Sequence, residues 1–215
     1  MVPLAEFSWP PKRSLRHSLA LFMDRCLFTA AVFASALAVA ADTQTGPKDA
    51  VVLIIRHAEK PDTGPGLSPS GQQRAEAYIR YFQEFTVDSK PLRPDAIFAA
   101  KDSKESQRPR LTVEPFAKAA KLRIDTHFRS NQSTKLAAAL HTTEPGKRIL
   151  ISWRHGDVPD LLRALGADPD SVLPHGKWPD HVFNWVILLR YDQDGRLIPA
   201  STRRINEHLM PDDSQ

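Results

Sequence analysis

Five consecutive apolar residues, Val51-Val52-Leu53-Ile54-Ile55, four of them β-branched, run directly into the pair Arg56-His57. A continuous β-branched run of this length is the pattern of a strand covered on both faces, as in a parallel sheet with helices on either side. Its charged end then falls at the carboxyl end of the strand, where open α/β sheets form their binding crevices. A second apolar run, Arg148 to Trp153 (RILISW), ends the same way in Arg154-His155-Gly156. If the two strands are parallel neighbours, their two histidines face each other at one edge of the sheet.

The intervening sequence alternates in kind. Ser68-Pro69-Ser70-Gly71 opens a helix to about Phe85, Ala96 to Ala99 reads as a strand, and a helix follows from near Gln107 to Lys121. Arg123 to Asp125 is a short strand, Ser133 to Leu140 a helix, and Val158 to Leu165 a helix stopped by Gly166. Val182 to Tyr191 and Leu197 to Ser201 read as closing strands joined by a turn at Asp192 to Gly195. The alternation predicts an α/β fold, a three-layer α/β/α sandwich on a mostly parallel central sheet, with an antiparallel pair at its edge.

Before this domain, Met23-Asp24-Arg25 precedes the apolar run Cys26 to Ala40, which closes on Ala38-Val39-Ala40. A charged start, a short apolar stretch and a small-residue cleavage site form a secretory signal, and the run is short for a bilayer span. The expected organisation is an N-terminal extension over 1–22 with translation starting at Met23, and a signal peptide over 23–41. A linker over 42–50, the domain over 51–201 and a frayed tail over 202–215 follow. The mature chain is then periplasmic or secreted, without a stable membrane anchor. Its one cysteine, Cys26, leaves with the signal, so neither disulfide nor thiolate chemistry is expected. The formal charge of +4 over 215 residues is too even for a nucleic-acid surface. Oligomeric state has no signature in the chain.

Between the two Arg-His pairs lies Arg108-Pro109-Arg110-Leu111-Thr112, where Pro109 suits the first turn of a helix and places Arg108 at its positive end. Arg110 could take that place if the helix begins later. His175 and His181 lack the carboxylate or cysteine that would complete a metal set, so they read as loop residues and no metal is expected. Trp153, Trp178 and Trp185 read as core or rim residues.

Four segments in order resemble the histidine phosphatase superfamily, the phosphoglycerate mutase-like family. They are Arg56-His57-Ala58-Glu59-Lys60, Leu67-Ser68-Pro69-Ser70-Gly71-Gln72-Gln73-Arg74-Ala75, Arg108-x-x-x-Thr112-x-x-Pro115, and His155-Gly156-Asp157-Val158-Pro159. The resemblance spans about residues 51–201. It implies a phosphatase in which His57 attacks phosphorus and becomes a phosphohistidine. Arg56, Arg108 and His155, with Gly156, bind the phosphoryl oxygens, and no cofactor or metal is needed. The substrate implied is a small phosphorylated molecule.

One family feature is missing. After the third strand, Thr126 to Asn131 holds no carboxylate where the mutase-like branch carries its acidic proton donor. Asp157 is the first substitute, because the acid phosphatase branch has an aspartate after its second histidine; it reads equally as a helix cap. Glu59 is the other candidate donor, or a residue that orients Arg56. An enzyme without a good acid favours good leaving groups. The alternatives are therefore a catalytically weak phosphate-binding module of the same fold, or a phosphohistidine phosphatase. The loops 60–67, 101–107 and 125–135 are expected to set specificity.

Overall fold

A computed structural model describes residues 46–211 and 213. The expected extension and signal peptide with Cys26, residues 42–45 of the expected linker, and tail residues 212, 214 and 215 lie outside them.

The elements run β1 (Val51–Arg56), α1 (Pro69–Gln83), β2 (Thr86–Val87), β3 (Lys90–Pro91), β4 (Ala96–Ala99), α2 (Arg108–Ala120), β5 (Ile124–Asp125) and α3 (Ser133–Leu140). The second half holds β6 (Arg148–Trp153), α4 (Val158–Ala164), β7 (Trp185–Arg190) and β8 (Arg203–Asn206). Six strands form one sheet in the order β5-β4-β6-β1-β7-β8, and β2 and β3 form a separate hairpin. β1, β4, β5 and β6 are parallel neighbours, and β7 alone runs against the rest, pairing antiparallel with both β1 and β8. The two Arg-His pairs do sit side by side, with Arg56 opposite Trp153 in register.

The period of β1 divides the core in two. Val52 and Ile54 face α3 and α4 with Leu136, Leu140, Leu161 and Leu162. Leu53 and Ile55 face α1 and α2 with Tyr78, Phe82, Val113 and Phe116. All four β1 residues are fully buried, and each such side chain contributes about 1.5–3 kcal/mol relative to exposure. The central strand is thus fixed by apolar contact on both faces, which is why so apolar a run is needed there.

The closing region departs from expectation. The strand predicted over Leu197–Ser201 is a single bridge from Leu197 to Tyr191 followed by a 3₁₀ turn at Pro199–Ser201, because Pro199 lacks the N–H a ladder requires. The last strand is β8, beyond the expected boundary at 201, and the tail is not frayed throughout: Asp213 is buried, 6% exposed.

Candidate active site

His57 is held at the end of β1 by its backbone. Its N–H donates to the Trp153 carbonyl at 2.9 Å, extending the β1–β6 ladder one step beyond the strand. The next residue then fixes the ring. Ala58 N–H donates to Thr112 Oγ1 at 2.8 Å, Thr112 donates to the Arg108 carbonyl at 2.8 Å, and the Ala58 carbonyl lies 2.8 Å from His57 Nδ1. A carbonyl only accepts, so Nδ1 carries the proton and Nε2 keeps its lone pair. Burial, opposed by the Ala58 bond and aided by the charges of Arg56 and Arg108, lowers the His57 pKa to about 3. The imidazole is neutral at physiological pH, and Nε2 has no protein partner among the described residues.

Arg56, 2% exposed, leaves the opposite face of the same strand end. Its Nη1 donates to the carbonyls of Pro179, Asp180 and Val182 at 3.1, 2.9 and 2.7 Å, and the Phe183 ring stacks 3.8 Å from its central carbon. Nη2 lies 3.2 Å from His155 Nδ1, and Nε is buried with no partner. Burial lowers the Arg56 pKa to about 10, which leaves the group charged. The guanidinium is therefore held by neutral groups along one edge, and its Nε edge has unused donor capacity.

His155 stands beside His57, with ring centroids 6.2 Å apart and planes at 75°. Because Arg56 can only donate, His155 Nδ1 accepts and Nε2 bears the proton, which it donates to Asp180 Oδ1 at 2.8 Å. Burial and the Arg56 charge lower the His155 pKa. The N–H expected to serve a phosphoryl oxygen is thus engaged by an exposed carboxylate in this structure.

A cleft of about 710 Å³ opens over His57, lined also by Arg108, Arg154, Asp157, Lys101 and Arg129. Arg108 projects from the first residue of α2, with Nη1 donating to the Gly64 carbonyl at 3.2 Å and Nε unpartnered. Arg110 is instead closed off by Asp102 at 2.8 Å and Glu114 at 2.9 Å, and of the two arginines only Arg108 lines the cleft. Asp157 makes no side-chain cap bond to its helix, and its Oδ2 is buried without a partner.

Four predicted residues, Arg56, His155, Glu59 and Gly156, are absent from the lining of this cleft. Glu59 does not line the cleft: Arg74 Nε and Nη2 hold its Oε1 at 2.9 and 2.7 Å, so the salt bridge behind the site takes it. Gly156 is exposed and borders a neighbouring cleft with His155, His175 and Asp180, away from the cleft over His57. Among the described residues no group of three or more His, Cys, Asp or Glu could hold a metal ion.

The contacts also explain the motif around α1. Ser68 Oγ accepts from Gly71 N–H at 3.0 Å as the helix cap, and Ser68 N–H donates to the Glu59 carbonyl at 2.9 Å. A Cβ at Gly71 would lie 2.4 Å from that same carbonyl oxygen, so only glycine lets the helix start sit this close to the segment after His57. Val182 to Asn184, by contrast, read as strand although the strand begins only at Trp185, and nothing local in His175 to His181 signals that the carbonyls of Pro179, Asp180 and Val182 hold Arg56.

No protein-family model matches the chain, and no curated protein matches it. Solved structures do. The phosphoserine phosphatase of Entamoeba histolytica, solved with 3-phosphoglyceric acid, superposes with a TM-score of 0.52 over 75% of this chain and 100% of its own, at 13% identity. SixA from Agrobacterium tumefaciens is 22% identical, with 69% and 95% covered and a TM-score of 0.47. The protein histidine phosphatase SixA complexed with tungstate is 13% identical, with 73% and 97% covered and a TM-score of 0.48. The likeness is one of fold: the chain has the phosphoglycerate mutase-like fold of the histidine phosphatases.

Proposed function

We propose that this chain is a metal-independent phosphomonoester hydrolase that works through a phosphohistidine on His57. The observation that carries the reading is the locked tautomer of His57, whose Nδ1–H is spent on the Ala58 carbonyl while the neutral ring lines the cleft. Nε2 attacks phosphorus as the ester P–O bond breaks, and the charge spread over the phosphoryl oxygens is met by the free edge of Arg56 and by Arg108. The Asp157 carboxyl group, which lines the cleft, delivers the proton to the departing oxygen. Water then attacks the phosphohistidine, the P–N bond breaks, and the Asp157 carboxylate takes the proton from that water. Phosphate leaves and His57 returns to its neutral form. The signal sequence supports action outside the cytoplasm.

Hydrolysis of aryl and alkyl phosphates, with chelator present, tests this in wild type, His57→Ala and Asp157→Asn. Expected are activity that survives chelation, a fall on the order of 10³-fold or more for His57→Ala, and a steeper loss for alkyl than aryl esters in Asp157→Asn. Phosphate binding without hydrolysis of any ester would instead identify a binding module.

A further inference from the structure

The chain beyond β8 is polar, yet it folds against the segment that follows His57. Asp213 is 6% exposed, and backbone and side-chain N–H groups converge on its carboxylate. Oδ2 accepts from the N–H groups of Leu209 and Met210 at 2.8 Å each, and the Asp213 N–H donates to the Met210 carbonyl at 3.0 Å, so the residue closes its own turn. Arg74 then forks onto both oxygens at 2.6 and 2.9 Å. Against burial, which raises it, the Arg74 fork and these backbone donors hold the Asp213 pKa below its ordinary value, so the pair stays charged.

Two lines of contact run from this turn to the site. In the first, Arg74 Nε and Nη2 donate to Glu59 Oε1 at 2.9 and 2.7 Å, and Glu59 directly follows Ala58, whose carbonyl fixes the His57 ring. In the second, the Asp213 carbonyl accepts from Asn184 Nδ2 at 3.2 Å, while the Glu207 N–H donates to the Asn184 carbonyl at 2.9 Å. Asn184 is buried and comes straight after Val182 and Phe183, whose carbonyl and ring seat Arg56. One turn therefore grips both the segment that orients the nucleophile and the segment that seats the arginine, although Asp213 itself is absent from the lining of the cleft. A displacement of about 1 Å at a reacting group costs on the order of 10²-fold in rate, so a residue that touches no substrate can still set turnover.

We propose that Asp213 is a positioning residue: its turn is a clamp that holds the His57 segment through Arg74 and Glu59 and the seat of Arg56 through Asn184. The inference rests on the phosphatase reading above and adds a residue to that same site. The test compares the full chain as wild type, Asp213→Ala, Asp213→Asn and Leu140→Ala, the last opening a cavity in the core at the end of α3. Each is assayed for nitrophenyl phosphate hydrolysis at a temperature where its denaturation curve shows it folded, and the ring-nitrogen NMR shifts of His57 report its tautomer. Asp213→Ala is expected to lose roughly tenfold or more in kcat and to show both His57 tautomers, with Asp213→Asn in between. Leu140→Ala should keep the wild-type kcat and the single Nδ1–H tautomer. If Asp213→Ala does not fold, Asn184→Ala, which cuts only the second line, should bind inorganic phosphate severalfold more weakly, and unchanged binding would overturn the inference. A folded Asp213→Ala with wild-type kcat, or an equal loss in Leu140→Ala, would overturn the clamp and leave the phosphatase standing. No hydrolysis by wild type would instead overturn the phosphatase reading, and the His57 tautomer in Asp213→Ala would decide the clamp: a mixture supports it and a single form overturns it.

Discussion

Arg56 and Arg74 are both 2% exposed, yet they are compensated in opposite ways. Arg56 meets three backbone carbonyls, an aromatic face and a neutral histidine nitrogen. Arg74 meets the carboxylates of Glu59 at 2.7 Å and Asp213 at 2.6 Å and the carboxyl group of Glu207 at 3.4 Å. Burial lowers the pKa of Arg56, whereas at Arg74 the bonds to Asp213 and Glu59 overcome burial and raise it. A buried cation held by neutral dipoles keeps its charge available for an incoming anion; one held by carboxylates has no charge left to offer. In the proposed function Arg56 meets the incoming anion, whereas Arg74 ties the tail and the helix α1 to the segment after His57.

The largest effect expected from this contrast is on stability at Arg74. Arg74→Ala leaves a cluster of buried carboxylates without their cation and should cost about 3–5 kcal/mol, read as a lower denaturant midpoint. Arg56→Lys keeps the charge but loses the planar fork, and should lower kcat/KM roughly 10²-fold while shifting the midpoint much less. A stability loss at Arg56→Lys equal to that at Arg74→Ala, with turnover intact, would erase the distinction.

The sequence shows one of these arginines and hides the role of the other. Arg56 is visible because it follows an apolar run whose burial is dictated by its composition, and the same holds for His155 after β6. Arg74 lies within a recognisable helix start, but its partners are 133 and 139 residues away and no local period points to them. The polar tail therefore reads as frayed, and Glu59 reads as a candidate acid because only its neighbours in sequence are visible. Strand β8, Arg203-Arg204-Ile205-Asn206, has no apolar run because it lies at the sheet edge, paired only with β7. The β2–β3 hairpin turns through Asp88 and Ser89 at φ of 53° and 61°, without the Asn-Gly signal that marks such turns.

The two regions should also differ in the direction of their pH response. Glu207 is fully buried, and burial, against the pull of Arg74, pushes its pKa from 4.5 up to about 8. Between those values the unfolded chain loses a proton that the folded chain keeps, so this group makes stability fall as pH rises. His57 acts oppositely: from 6.5 down to about 3 the unfolded chain gains a proton that the folded chain refuses, so stability falls as pH drops. Thermal denaturation across pH 4–9 should show Glu207→Gln flattening the decline between pH 4.5 and about 8 and His57→Asn flattening the loss below pH 6.5. An unchanged slope between pH 4.5 and about 8 in Glu207→Gln would mean that Glu207 is ionised beside Arg74 throughout.

The smallest effect is at Asp180, whose exposed carboxylate takes the Nε2–H of His155. A phosphoryl oxygen using that donor has to displace the carboxylate, and two anions cannot share one N–H without repulsion. Asp180→Asn removes the competing charge while keeping an acceptor of the same shape and the backbone carbonyl on which Arg56 rests. Inorganic phosphate should then bind the variant severalfold more tightly, a gain of about 1 kcal/mol, measured by calorimetry or by product inhibition. Weaker binding would make Asp180 a support for His155 rather than a competitor. The 178–183 segment would then position both Arg56 and His155, and the charge of Arg56 would remain the only part of this pair held open for substrate.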